Sequence, residues 1–292
     1  MVAIANRFTV FTKPWPQLSL YQLGKLVKDM GFDGVELPVR TGYQVTPDHI
    51  ARDLPEAVKI LGDCGVVIGS VAGSSDERTI AAMGEAGIKI LRLCVNIDID
   101  YGYMATVKRV RREYDALVPI LDKYGVTLGV QNHCDYCVGS AIGIMHLIEN
   151  YLPKHIGAVL DPAHCAVDGE PEIMALDIVW SHLCLINFKS AFHMRTNGPE
   201  ASEAEWAVHW TTARHSGYSW RALANCLRGK KYAGDICLPA EYSGGISGGM
   251  VMGDDVVPLV TGDLKYLKVL LSGTGDSAAT AVSTDWQSTG KR

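Results

Sequence analysis

The sequence predicts an α/β protein built as a single (β/α)8 TIM barrel, and three observations carry that prediction. Eight short runs rich in Val, Ile and Leu recur along nearly the whole chain, each followed by a stretch of helical character. The runs are apolar throughout instead of alternating with polar residues, as expected of parallel strands covered on both faces. The last four end in polar residues, and a closed parallel barrel gathers all its strand ends on one rim.

Taken in order, the first strand is read at 7–12 and is followed by a helix at 18–30 behind the polar entry of Gln17 and Ser19. Gly31-Phe32-Asp33-Gly34 turns the chain into strand 35–39. Pro47 opens a helix that runs to 63, since its missing N–H would be unpaired in a first turn anyway. Gly65 stops that helix ahead of strand 66–72. A helix at 76–85 closes with Gly87, which accepts a left-handed cap without strain. Strand 90–95 precedes a long helix, 104–124, stopped by Gly125. The second half repeats the scheme: strand 127–131 and helix 142–151, strand 157–160 and helix 172–179, then strand 183–188. An excursion at 191–217, with Trp206, Trp210, His193, His209 and His215, reads as an irregular lid or wall. Helix 218–227, strand 236–240, a glycine-rich loop at 242–253 and helix 263–271 complete the pattern. Eight such units favour closure over an open, doubly wound sheet. The barrel is expected to fill 1–272, with no dividing linker and a small, polar, disordered tail at 273–292.

Composition excludes several classes. With 48% hydrophobic and 20% charged residues in 292, the chain has an ordinary globular balance and enough length to bury a large core. Net charge is −5, and the basic cluster Lys108, Arg109, Arg111 and Arg112 falls in a helical pattern, where it reads as a solvated face. No nucleic-acid partner is expected. No leader pattern opens the chain and no apolar run approaches the ~20 residues that cross a bilayer, so a soluble cytoplasmic protein is expected, with a homo-oligomer left open. The glycines at 244–249 follow a strand but match no dinucleotide spacing. Of eight cysteines, most sit in apolar runs as small hydrophobes, and Cys134-Asp135-Tyr136-Cys137 has no second pair to complete a zinc site.

The strand ends hold the chemistry. Asp161 and Glu241 each stand at the polar edge of an apolar strand, where a carboxylate needs a cation or donor. With amide oxygens from Gln131 and Asn187 they form a donor set for a hard divalent ion, Mg²⁺ or Mn²⁺. His133 and His164 add imidazoles for proton transfer or hydroxyl binding, and Lys189 adds a positive charge for an oxyanion. Each has a plain alternative: Asp161 as a helix cap, Glu241 as an ion-pair partner, His133 as packing. Glu36, at the end of strand two, is a candidate for substrate hydroxyls or for an ion pair with Arg40. Trp15 and Trp206 could pack on a sugar ring.

These motifs also resemble a known family, the xylose isomerase-like barrels, over about residues 5–272. The markers are Gly31-Phe32-Asp33-Gly34-Val35-Glu36-Leu37, Gly125-Val126-Thr127-Leu128 leading to Gln131-Asn132-His133, Leu160-Asp161-Pro162-Ala163-His164, Asn187-Phe188-Lys189 and Leu238-Pro239-Ala240-Glu241-Tyr242. The resemblance implies a divalent ion held by Glu, Asp, His and Glu from strands five to eight. Asp161 and Glu241 match; Gln131 stands where Glu is usual and Asn187 where His is usual. Fewer anionic ligands imply weaker metal binding.

The same departure limits the chemistry. Gln131 accepts no proton at neutral pH, so the family's two-carboxylate epimerisation is unavailable. A single base, Glu241, still suffices for aldose–ketose isomerisation through an enediolate stabilised by the metal or Lys189. It also suffices for a lyase, of the keto-inositol dehydratase or C-glycoside-cleaving kind, with His164 or His133 protonating the leaving group. The expected partner is a small carbohydrate. Two other classes compete: an abasic-site nuclease, opposed by the acidic balance, and a non-catalytic sugar- or partner-binding member.

Overall fold

The computed structural model describes residues 6–245 and 249–273. Eight parallel strands close into a barrel. They are β1 (Phe8–Phe11), β2 (Gly34–Pro38), β3 (Val67–Ala72), β4 (Ile90–Cys94), β5 (Thr127–Gln131), β6 (Ile156–Leu160), β7 (Leu183–Asn187) and β10 (Ile236–Leu238). The ring closes where Phe8, Thr9 and Val10 of β1 pair with Ile236, Cys237 and Leu238 of β10. Helices α1 (Leu20–Asp29), α2 (Ile50–Asp63), α3 (Glu77–Glu85), α4 (Tyr103–Tyr124), α5 (Ala141–Ile148), α7 (Glu172–Val179), α8 (Trp220–Gly229) and α9 (Val256–Ser272) follow the strands. The fold is a single (β/α)8 TIM barrel.

Local chemistry sets the helix ends. Ser19 and Gln22 form a reciprocal capping box at α1, which trims the expected start at 18 to Leu20. Asp76, Ser140 and Ser219 cap α3, α5 and α8 through side-chain oxygens. Gly125 ends α4 at φ 62°, a left-handed value that glycine adopts at no steric cost.

Three elements depart from expectation. The excursion at 191–217 contains an antiparallel hairpin, β8 (Ser190–Arg195) with β9 (Trp206–Thr211), lying outside the barrel sheet. A short helix, α6 (Pro162–Asp168), was not anticipated; Asp161 caps it and Pro162 fills its first turn. The last helix starts at Val256, earlier than 263, because Pro258 falls within its first turn and breaks nothing. The tail expected at 273–292 lies outside the described residues from 274 onward, as do 246–248 of the glycine-rich loop.

The main core lies between strands and helices, with Val10, Val35, Leu37, Val71, Leu91, Leu128, Val130, Leu160 and Ile186 buried against the helical layer. A smaller cluster, Phe11, Ala72, Val159, Leu185 and Cys237, packs separately. The two sets differ by one residue along each strand, the period of two that sends alternate side chains to opposite faces. The smaller set is the barrel interior.

Candidate active site

That alternation builds the site. Two residues beyond the interior residues Phe11, Val159, Leu185 and Cys237 come Lys13, Asp161, Asn187 and Pro239; two further come Lys189 and Glu241. Strand phase carries the first of these toward one mouth, and the turns past β7 and β10 bring Lys189 and Glu241 to it. A cavity of about 200 Å³ opens there, whose wall includes Lys13, Gln131, His133, Asn187, Lys189 and Glu241, while Asp161 is fully buried and not part of it. Ala240 turns the chain out of β10 in a left-handed conformation, φ 57°, at a cost of about 1–2 kcal/mol for a residue with a Cβ.

The centre of the site is an ion-pair chain. Lys189 Nζ lies 2.8 Å from Glu241 Oε2 and 3.4 Å from Asp161 Oδ2, and Lys13 Nζ lies 2.8 Å from Glu241 Oε1. The Lys189 ammonium also sits 4.3 Å from the centroid of the Trp210 ring, supplied by β9. Asp161 is used twice: Oδ1 accepts from the Ala163 amide to cap α6, and Oδ2 accepts from Gln131 Nε2 at 2.9 Å. Asn132 brackets the Asp161 backbone, donating to its carbonyl at 3.0 Å and accepting from its amide at 2.8 Å.

Burial and charge pull against each other here. Burial raises the Asp161 carboxyl above its ordinary value, and nearby Lys189 opposes the rise. Burial would also raise Glu241, but Lys189 and Lys13 together outweigh it and hold that carboxyl well below the usual range. Burial would lower the Lys189 ammonium, but Asp161 and Glu241 reverse the direction and hold it protonated.

Besides Asp161, two more candidates stand behind the wall and not on it. His164 is fully buried, and its Nδ1 accepts from the Cys134 backbone amide at 3.1 Å, which puts its proton on Nε2, 3.7 Å from Asp161 Oδ2. Burial lowers its pKa strongly, so the ring is neutral and has no path to protonate a leaving group in the cavity. Its ring centroid lies 4.0 Å from that of His133. Glu36 is likewise buried, and its carboxylate is taken by Arg92 and by Ser70 Oγ at 2.9 Å, so it is not free for substrate. Its ion-pair partner is thus Arg92 and not the expected Arg40. His133 does line the cavity, with Nδ1 donating to its neighbour's carbonyl at 2.9 Å. Trp15 is buried, with Nε1 on the Gly253 carbonyl, and Trp206 is exposed on β9.

The set Gln131, Asp161, Asn187 and Glu241 does not fit a divalent ion as it stands. The Gln131 amide presents N–H, not a lone pair, to Asp161, and an ammonium already separates the two carboxylates. The amide oxygens of Gln131 and Asn187 are buried without a partner. His133, Cys134 and His164 offer ligand atoms within 4.8 Å of one another. That group is a poor cage too, since His164 Nδ1 is occupied and burial pushes the Cys134 thiol up to about 12.

Lys13, Arg92 and Cys94 also line the cavity and escaped the sequence reading. The signal was present for two of them: Lys13 stands just past the end of β1 and Cys94 at the end of β4, where the rule applied to the last four strands works equally well, whereas Arg92 lies in the middle of β4.

Comparison with known proteins agrees with this architecture. Among solved structures, a 3-keto-D-glucoside 4-epimerase from E. coli superposes with a TM-score of 0.65 at 14% identity, covering 91% of this chain and 100% of the other. A D-allulose 3-epimerase from Methylomonas sp. gives 0.70 at 11% identity, covering 91% and 98%. A mannonate dehydratase from Streptococcus suis gives 0.65 at 10% identity, covering 95% and 99%. At such identities the likeness is one of fold. No curated protein sequence matches the chain. A family model described as xylose isomerase-like TIM barrel matches residues 25–245, which is most of the barrel and every strand end from β2 to β10. With the motifs, the closed barrel and this match in agreement, the chain belongs to the xylose isomerase-like TIM barrel family.

Proposed function

We propose that the protein is a carbohydrate-active enzyme that removes a proton next to a carbonyl, with Glu241 as the single base and Lys189 facing the developing enediolate. The observation that carries this reading is the 2.8 Å pairing of an ionised carboxylate with an ammonium on one cavity wall. A substrate carbonyl oxygen drawn to Lys189 takes hydrogen bonding away from Glu241, and the carboxylate regains basicity as the proton is transferred. Lys13 holds the other carboxylate oxygen in place. The unpartnered amide oxygens of Gln131 and Asn187 suit sugar hydroxyls, which bring the missing donors. No step of this reaction runs through a divalent ion.

Return of the proton to the neighbouring carbon, with the hydroxyl proton passing from one oxygen to the other, gives an aldose–ketose isomerase. Loss of a β-leaving group gives a lyase, and of the two imidazoles His133 is the one on the wall beside such a group. The epimerases and dehydratase among the structural neighbours support a carbohydrate substrate, and the dehydratase the second outcome. A non-catalytic sugar binder is the second reading, favoured by one observation: two cations hold Glu241 far below the basicity of an ordinary carboxylate.

The test is solvent exchange. Ketoses, aldoses and keto-sugars incubated with the protein in D₂O are expected to take up deuterium beside the carbonyl. Glu241→Gln should slow that uptake by about 10²–10⁴-fold with unchanged circular dichroism. Full retention of exchange would remove Glu241 from the role, and binding without exchange for every sugar would favour the binder.

A further inference from the structure

We propose that the Lys189 ammonium permanently occupies the seat between Asp161 and Glu241 that a divalent ion would otherwise take, making the site metal-independent by construction. The inference stands on geometry and charge and holds whether or not the protein turns over a sugar.

Asp161 and Glu241 lie just past β6 and β10, the two strands that flank β7, and both carboxylates reach the same ammonium. Lys189 extends from just past β7, the strand between them, and fills that point at 2.8 Å and 3.4 Å. Those are N–H···O separations. A magnesium ion draws its oxygens to about 2.0–2.1 Å, so the carboxylates stand too far apart to share one while the lysine is in place. The charges agree. Two carboxylates are balanced by two ammonium groups, Lys189 and Lys13, which supply the two positive charges of an ion. The position is well built: the Lys189 side chain is 5% exposed, its ammonium lies on the Trp210 ring, and its backbone carbonyl accepts from Tyr218 Oη at 2.9 Å. Gln131 completes the arrangement by giving its N–H to Asp161, a donor that competes with a metal for the same oxygen.

Removing the lysine should therefore uncover a latent metal site. Two carboxylates would then surround a vacated position, and Gln131 and Asn187, whose amide oxygens are unpartnered, stand on the wall of the same cavity. Manganese binding to the full-length protein, followed by electron paramagnetic resonance, reads this directly. The unaltered protein is expected to take up no stoichiometric Mn²⁺. Lys189→Ala should bind one ion on the order of a hundredfold more tightly, because a buried positive charge a few ångströms away has been removed. Asp161→Asn in that background should abolish the gain. Equal affinity in the two proteins overturns the proposal, and so does a Lys189→Ala variant that folds, by circular dichroism, yet gains nothing.

Asp161, left in the barrel without its cation, could prevent that variant from folding, while Glu241 keeps Lys13. Lys189→Met, of similar length, is the second variant. The unaltered protein also supplies an independent readout: the slowly exchanging Lys189 ammonium resonance should stay sharp when Mn²⁺ is added. Paramagnetic broadening at one equivalent overturns the proposal regardless of either variant.

Discussion

Glu36 and Arg92 show how a single contact inside a barrel is decided. Their ion pair is almost fully enclosed, with side-chain exposures of 1% and 10%, and Arg92 also stacks 4.8 Å from the Phe11 ring centroid. Burying both charges brings little net stability, but stranding one is costly. Arg92→Met is expected to destabilise the fold by about 3–5 kcal/mol, whereas Glu36→Leu with Arg92→Met together should cost clearly less than the sum of the two single changes. Urea unfolding of the three variants measures this; additive losses would mean the pair is not coupled. Arg40, four positions along, was the natural partner to infer from sequence. The partner lies two strands away instead, because inward-facing side chains meet across the barrel and sequence spacing says nothing about that distance. Asp161 was more legible. Its reading as a helix cap holds through one oxygen, while the other faces Lys189.

At the scale of elements, two helical glycines make opposite predictions. A Cβ on Gly262, midway along α9, would meet nothing within 4 Å, so Gly262→Ala should stabilise by about 0.8–1 kcal/mol through helix propensity alone. A Cβ on Gly84, in α3, would come within 2.7 Å of Tyr124 Cβ and of the Tyr124 carbonyl at the end of α4. There the propensity gain is outweighed by overpacking, and Gly84→Ala should destabilise by about 1–3 kcal/mol. Thermal unfolding of the two variants distinguishes them, and a shift of the same sign in both would contradict the close approach of α3 and α4. Strands and long helices were readable because apolar period and capping residues repeat in each unit. The hairpin β8–β9 was not. It stands off the barrel, so its burial pattern is partial, and its polar and aromatic mixture resembles a loop until the antiparallel pairing of Ser190 with Thr211 through Arg195 with Trp206 is seen. That pairing matters to the site, since it brings Trp210 onto Lys189.

For the molecule as a whole, Asp263 ties the closing helix to two distant segments, accepting from the Ala213 amide and from Tyr242 Oη, each at 2.9 Å. Burial raises its carboxyl from 3.8 to about 6, more than those two donors lower it. Between these values the folded chain keeps a proton that the unfolded chain has released. Stability should therefore fall as pH rises from about 4 to about 6, by up to about 3 kcal/mol, and this contribution should be flat above that window. Asp263→Asn should remove the slope, as read from melting temperature against pH; an unchanged slope would place the titration elsewhere. By itself the sequence determined the eight-unit barrel and the rim on which its polar residues gather, because strand period and strand–helix alternation are local properties that each segment states for itself. Only the tertiary structure decided what those residues do to one another: that Lys189 stands between Asp161 and Glu241, that His164 and Glu36 lie behind the wall, and that Lys13 joins the site from the far end of the chain. Those relations depend on distances across a closed ring, which no local pattern encodes.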